Sequence, residues 1–263
     1  MAVASQSGKV DPVVRPITRN DVVEALVAGL RDFQSAPRFG LVLGALCTAF
    51  GIATFVTLYW LGLPYLAYPI GAGFALICPF IGTALYEVSR RLETGEPITA
   101  GEIWRTVKAR SEIRWMGFMT LFVLVVWMYQ VRLLLALFLG FSGMGASMAD
   151  FMRVVTTTSE GIWFLAIGNV VGAVLAGILF SLSVVSFPLV LERDVDFVTA
   201  MITSVRAVAA SPGAMLFWAA LIVALLVAST LPFFLGLLVT LPILGHATWH
   251  LYRRTVAPAP AAA

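Results

Sequence analysis

The sequence predicts an all-α protein, a polytopic membrane helical bundle of six transmembrane helices arranged as three parallel repeats of an interfacial helix plus a helical hairpin. Three observations predict it. Of the 263 residues, 60% are hydrophobic and only 12% charged, against roughly 25% charged in a soluble domain. The charges fall in blocks separated by long charge-free runs, and the basic residues gather between alternate runs.

The first 17 residues carry Lys9, Arg15 and Pro12 but no sustained apolar run, and are expected to be a disordered tail. The apolar run that follows starts near Phe39, after a polar segment too long for the n-region of a signal peptide, so cleavage is not expected. No Asp, Glu, Lys or Arg occurs from Phe39 to Tyr86, a stretch of 48 residues. A helix crosses a hydrocarbon core of about 30 Å with about 20 residues. This run therefore holds two spans, near 40–61 and 66–88, broken at Gly62-Leu63-Pro64 and Pro69. Further spans are expected near 115–138 and 162–189. The charge-free run from Ala207 to Tyr252 gives two more, near 213–231 and 233–252, with Pro232 at the turn. Residues 255–263, rich in Ala and Pro, are expected to be a second disordered tail.

Counted by side, Lys9, Arg15, Arg19, Arg31, Arg38, Arg90, Arg91, Arg105, Lys108, Arg110, Arg114, Arg193, Arg206, Arg253 and Arg254 share one face, 15 of the 17 basic residues. The positive-inside rule then places both termini in the cytoplasm. The formal charge of +3 is thus explained by orientation. No dense basic helix supports nucleic-acid binding, so no nucleic-acid partner is expected.

Each outward span is preceded by an amphipathic segment: DVVEALVAGLR (21–31), ITAGEIWRTVK (98–108) and DFVTAMITSVR (196–206). Apolar positions at three- and four-residue intervals fit helices lying in the interface. Thr99 with Glu102 forms a capping box, and Asp21 and Asp196 are candidate N-caps. PFIGTALYEVSRR (79–91) echoes PILGHATWHLYRR (242–254), and FPLVLER (187–193) keeps the proline. A proline in each return span removes a backbone donor and favours a kink. The repeats run 18–91, 97–193 and 195–254, in one six-helix domain of residues 18–254.

Four residues beyond the three prolines stand Thr83, Glu192 and His246, and eight beyond stand Glu87, Asp196 and His250. Packed about a pseudo-threefold axis, these groups would gather near the cytoplasmic ends of the return helices. Carboxylates with imidazoles can bind a divalent cation or relay protons. The alternative is that they mark helices entering the interface, neutralised by Arg90, Arg193 and Arg253. HATWH (246–250) lacks the Glu of the zinc-protease HExxH pattern. No catalytic residue, metal ligand set or cofactor is therefore assigned. Arg132 is an intramembrane charge, functional by default, but it lies 18 residues past Arg114. That is about 27 Å along a helix, far enough to snorkel to the opposite interface or to pair with Asp150 or Glu160.

Gly168, Gly172 and Ala176 form a small-residue stripe suited to close helix packing within the chain or to a homodimer. Tyr59, Trp60, Tyr65 and Tyr68 at one end, and Trp104, Trp115, Trp249 and Tyr252 at the other, read as aromatic belts. Cys47 and Cys78 both lie in spans at similar depths, where thiols act as small hydrophobes and contact each other only if the helices align.

The stretches PFIGTALYEVSRRLETGEP (79–97) and FPLVLERDVDFVTAMITSV (187–205) resemble the domain-of-unknown-function family 2189, uncharacterised bacterial integral membrane proteins. The resemblance implies a bacterial inner-membrane location and no particular reaction. Some relatives carry a cytochrome-oxidase label, but the two histidines here cannot supply the haem and copper ligands of that subunit. The expected function is non-enzymatic, through contacts with the lipid bilayer or other membrane proteins, in an assembly, accessory or envelope role. The alternative is a small-solute or ion transporter or channel: three same-facing two-span repeats match the layout of mitochondrial carriers, without their proline-acid-basic motif. A membrane-embedded enzyme would have only Glu87 and the two histidines to work with.

Overall fold

The computed structural model describes residues 11–63, 66–140 and 148–258, the side chains of 67–69, 72, 75–81 and 148 excepted. Eleven helices make up the described residues: α1 (Arg19–Ser35), α2 (Pro37–Trp60), α3 (Ala67–Thr94), α4 (Ala100–Ala109), α5 (Ser111–Phe138), α6 (Met148–Thr157), α7 (Ser159–Ser183), α8 (Ser186–Glu192), α9 (Phe197–Ala210), α10 (Pro212–Thr230) and α11 (Leu237–Thr255). By length and composition α2, α5, the α7–α8 stretch Ser159–Glu192 and α10 are able to cross a membrane. Helices α3 and α11 occupy the places expected for the second and sixth spans, and α1, α4 and α9 those of the interfacial segments. Helix α6 was not anticipated.

Local chemistry sets the ends. Thr18, not Asp21, is the N-cap of α1. Its hydroxyl accepts the Asp21 N–H, and the Asp21 carboxylate accepts the Thr18 N–H at 2.8 Å, so Asp21 completes a capping box three residues in. Asp196 caps α9 as expected, accepting the Thr199 N–H at 2.9 Å. Thr99 caps α4 by accepting from Glu102 N–H. Helix α3 stops at Gly95, whose φ of +69° suits a residue without Cβ, and Glu96 N–H closes back on Arg91 O.

The α7–α8 stretch is interrupted at Val184-Val185, which both keep right-handed helical angles, so the proline perturbs the helix here as expected. Pro188 cannot donate to the carbonyl four residues earlier. The freed Val185 N–H donates to Ser204 Oγ of α9 at 3.1 Å, inside the core. In α11, Pro242 stays within one helix. Pro79 lies where side chains are outside the described residues.

Helices α3, α8 and α11 pack against one another at the centre, and the longer apolar helices lie around them. Helix α2 sits between α11 and α3, and α5 between α3 and α7. The short helices follow a rule: α4 packs on α3, α9 on α7 and α8, and α1 on α11. Each thus lies on the return helix preceding it, and the first lies on the last, closing a ring. Gly29 makes that closure possible, because a Cβ there would come within 2.5 Å of Ala247 N. Gly40 and Gly44 likewise admit α2 against Pro242 and Leu238 of α11.

The main core, including Val22, Met116, Phe187, Met215, Trp218, Trp249 and Tyr252, sits at the end of the bundle where the chain's termini lie. Away from that core, α2, α5 and α10 leave Phe50, Phe122, Val223 and Val227 exposed. The described parts of the tails differ from the expectation of disorder. Val14 forms an antiparallel bridge with Val256, Arg15 N–H donates to Thr255 O at 2.7 Å, and Ile17 N–H donates to Ser211 Oγ at 2.7 Å. Two apolar residues facing each other, with backbone donors to satisfy, dock 11–17 onto 255–257. Residues 1–10 and 259–263 lie outside the described residues.

Candidate functional site

At the end of the bundle where α1 and the last turns of α11 lie, α3, α8 and α11 carry two groups of paired polar side chains beneath a small cleft. The deepest charge is Glu87 on α3, fully buried. The Glu87 carboxylate accepts Arg91 Nε–H at 2.6 Å and Arg90 Nε–H at 2.8 Å, the i+4 and i+3 neighbours on one helix face. Arg90 also donates to both oxygens of Glu96, at 2.8 and 2.9 Å. Arg91 donates on to Pro97 O and Thr106 Oγ1, tying α3 to α4. Arg90 holds the Glu96 carboxyl below its ordinary 4.5. Buried carboxylates persist when paired and hydrogen-bonded in this way.

The histidines share a helix but not a partner. His246 is fully buried with Nδ1 2.8 Å from Ser89 Oγ, and its Nε2 has no partner among the described residues. His250 Nε2 lies 2.8 Å from Asp32 Oδ2 on α1, and its Nδ1 3.6 Å from Glu93. Burial works to raise the Asp32 carboxyl, but hydrogen bonds from His250 and Ser89 outweigh it and hold that group below its ordinary 3.8. Glu93 pairs with Arg253 at 3.2 Å, and Arg253 reaches Glu192 of α8 at 2.7 Å. Tyr252 OH donates to the other Glu192 oxygen. One chain of contacts thus runs from α1 through α11 and α3 to α8.

Glu87, Glu192, His246 and His250 therefore meet in one region, as the spacing from the prolines anticipates, whereas Asp196 does not join them. It is exposed and committed to capping α9. Among the described residues no three of His, Cys, Asp and Glu are grouped to hold a metal ion. Thr83 is buried in α3 below Glu87. Arg132 is exposed on the far half of α5, while Asp150 lies 3.6 Å from Arg153.

Sequence reasoning missed Asp32, Ser89 and Glu93. Asp32 belongs to a short helix, and Ser89 and Glu93 to the charged end of α3, where a polar residue gives no signal of its own. It also placed Trp249 and Tyr252 in an aromatic belt, and this is corrected: both are fully buried in the core. They fall on the face of α11 turned toward α3 and α8, and Tyr252 spends its hydroxyl on Glu192. Tyr59, Trp60, Trp104 and Trp115 are exposed at the two ends, while Tyr65 and the side chain of Tyr68 lie outside the described residues. Gly172 meets the Trp127 ring and Gly168 faces Leu134, so the small-residue stripe of α7 packs on α5 within the chain. Cys47 is a free, buried thiol, and the side chain of Cys78 is outside the described residues.

Two hollows remain. One, of about 520 Å³, is apolar and opens between α2, α3 and α5, with Leu43, Cys47, Phe50, Phe74, Leu124 and Met128 on its walls. The other, of about 270 Å³, is the polar cleft above these paired groups, bounded by Arg90, Glu93, Arg110, Leu191, Glu192 and Arg253.

Residues 67–192 match the model of a family described as predicted integral membrane protein (DUF2189). The matched segment runs from α3 to α8 and holds Glu87, Ser89, Arg90, Arg91, Arg110 and Glu192. No curated protein and no solved structure matches the chain.

Proposed function

We propose that this integral membrane protein is a six-span, three-repeat protein of the bacterial inner membrane, with both termini in the cytoplasm. It is non-enzymatic and works through contacts with lipid or with other membrane proteins. The observation that carries this reading is how the polar residues are spent. Arg90 and Arg91 neutralise Glu87 within α3, while Asp32, Glu93, Glu192, His250 and Arg253 pair across α1, α3, α8 and α11, so these groups stiffen one end of the bundle rather than surround a reacting centre.

The outer surfaces support it as well. Helix α1 exposes Val23, Val27 and Leu30, and α9 exposes Val198, Ile202 and Val205 at the same spacing. Trp104 of α4 stands at the position equivalent to Val27 and Ile202, and is also exposed. Apolar stripes on short helices beside a basic bundle end fit a ring lying in the headgroup region. The apolar hollow among α2, α3 and α5 then faces lipid tails. The ring closure of α1 on α11 supports three equivalent units.

The test is extraction in native membrane patches without detergent, followed by identification of co-isolated proteins and lipids, with a deletion strain grown under envelope and respiratory stress. Reproducible partners and a stress phenotype are expected. A protein isolated alone, from a strain that shows no defect when it is deleted, would overturn the reading.

A further inference from the structure

The geometry points to the polar cleft as a binding site for a phosphate group, with Arg110 as its principal anchor. The cleft lies where the ends of α3, α8 and α11 meet the corner between α4 and α5. Three guanidinium groups bound it against two carboxylates. Those carboxylates already have partners: Glu93 is held by Arg253, and Glu192 by Arg253 and Tyr252. Arg90 is committed to Glu87 and Glu96.

Arg110 is different. It is the C-cap of α4 and precedes α5 directly, which fixes its backbone at the rim. Among the described residues its guanidinium donates from Nη2 to the backbone carbonyl of Glu192 at 3.4 Å and has no carboxylate partner. A half-buried guanidinium facing a cavity with most of its donors unused favours a planar or tetrahedral oxyanion taken in bidentate fashion. Arg253, also on the wall, binds Glu93 through Nε and Glu192 through Nη1. Thr106 on the wall accepts from Arg91 and keeps its own hydroxyl hydrogen for the cleft, whereas Thr94 donates its hydrogen to Arg90 O.

The volume limits the ligand. At about 270 Å³ the cleft is smaller than the roughly 300 Å³ at which pockets for drug-sized molecules begin. It suits one phosphate group and not an entire nucleotide. That group could arrive as the headgroup of an anionic phospholipid, given the interfacial position of this end, or as free phosphate. Only the choice between these sources rests on the membrane topology proposed above; the anion chemistry stands without it.

The experiment uses the full chain, delipidated in a non-ionic detergent free of phosphate. Arginine modification by phenylglyoxal is followed residue by residue, with inorganic phosphate added in one arm and phosphatidylglycerol in another. Arg110 should be protected and Arg206, on the surface of α9, should not. Protection by phosphate assigns a soluble source, and protection by the lipid alone assigns a headgroup. In either arm, Arg110→Gln should weaken binding about tenfold or more, as loss of one charge-assisted bidentate contact requires, and Arg110→Lys by less. Unchanged Arg110 reactivity in both arms, or equal binding by Arg110→Gln, overturns the assignment. The footprint on the unaltered chain decides the matter even if Arg110→Gln fails to fold. Failure of the co-isolation test leaves this binding result unaffected, so the two proposals fall separately.

Discussion

His250 and Asp32, 218 residues apart in sequence, meet at 2.8 Å and join the first helix of the chain to the last. Around that contact Gly29 lets the backbones of α1 and α11 touch, and Arg254 pairs with Asp21 at 3.1 Å and Glu24 at 2.8 Å. The closing seam is therefore built from a small-residue contact flanked by charged pairs. An open arrangement of the same helices would expose Asp32 and His250 singly and leave Gly29 without purpose.

The seam is sterically tight, so Gly29→Leu should destabilise the protein. Even the first added carbon meets Ala247 N at 2.5 Å and Cα at 2.8 Å, both backbone atoms unable to move aside. Overpacking of this kind costs roughly 1–3 kcal/mol. Gly101→Ala is the control: nothing lies within 4 Å of a Cβ there, and the change within a helix should gain about 0.5–1 kcal/mol. Thermal unfolding of both variants in detergent decides the point. Equal midpoints would show that α1 does not pack on α11 in this way.

Glu87 holds two arginines, one of which, Arg91, has a side chain only 6% exposed. Glu87→Gln leaves Arg91 buried without its closest anion, and removing one member of a buried pair typically costs about 3–5 kcal/mol. Arg90 keeps Glu96 and should contribute little to the loss. Adding Arg91→Met to Glu87→Gln should recover part of the stability, because the stranded charge goes with it. A double-mutant cycle by denaturant unfolding measures the coupling; simple additivity would show that the two side chains do not interact.

Much of this fold is legible in the sequence because charge-free runs and one-sided arginines are consequences of crossing a bilayer. The spans expected near 40–61 and 115–138 nearly coincide with α2 (Pro37–Trp60) and α5 (Ser111–Phe138), which begin a few residues earlier and take in Arg38 and Arg114. What the residues could not give is the direction a helix faces. Trp249 and Tyr252 have the composition of a belt, yet the packing of α11 against α3 and α8 turns them inward. The proline spacing pointed to Glu87, Glu192, His246 and His250, which lie on α3, α8 and α11, the helices that pack against one another at the centre. It could not find Asp32, which enters through α1, nor Ser89 and Glu93, which lie on α3 out of register with the four- and eight-residue steps. It also included Asp196, whose local demand to cap α9 took precedence.

Asp196 gives a dependence on pH with a definite sign. The backbone N–H and then the hydroxyl of Thr199 hold its carboxyl below the ordinary 3.8. The group therefore stabilises the folded state fully above 3.8, and this contribution fades as pH falls through its lower folded value. Asp196→Ala should cost about 1 kcal/mol at neutral pH, while Asp196→Asn keeps the cap and loses only the titration. Unfolding followed from neutral pH downward should show the wild-type advantage over Asp196→Asn shrinking below 3.8. An advantage that grows in acid would reverse the assignment.

The orientation of the bundle makes a prediction independent of any side-chain contact. If basic residues mark the cytoplasmic side, the corner before α4 is inside and the α6–α7 corner is outside. Thr99 and Ser159 are both exposed at those corners, so each accepts a reporter thiol without disturbing the core. In a Cys47→Ser, Cys78→Ser background, an impermeant maleimide should label Ser159→Cys in intact cells. Thr99→Cys should react only after permeabilisation. Arg132 and Arg153, the two basic residues on the outer side, then lie beside the far headgroups. There Arg132, exposed on α5, reaches water by extending its side chain rather than by lining a path. Labelling of Thr99→Cys from outside would invert the bundle and place the arginine cleft on the opposite face of the membrane. A cytoplasmic phosphate source for Arg110 would then be ruled out, while the closure of α1 on α11 would stand, because it depends on packing alone.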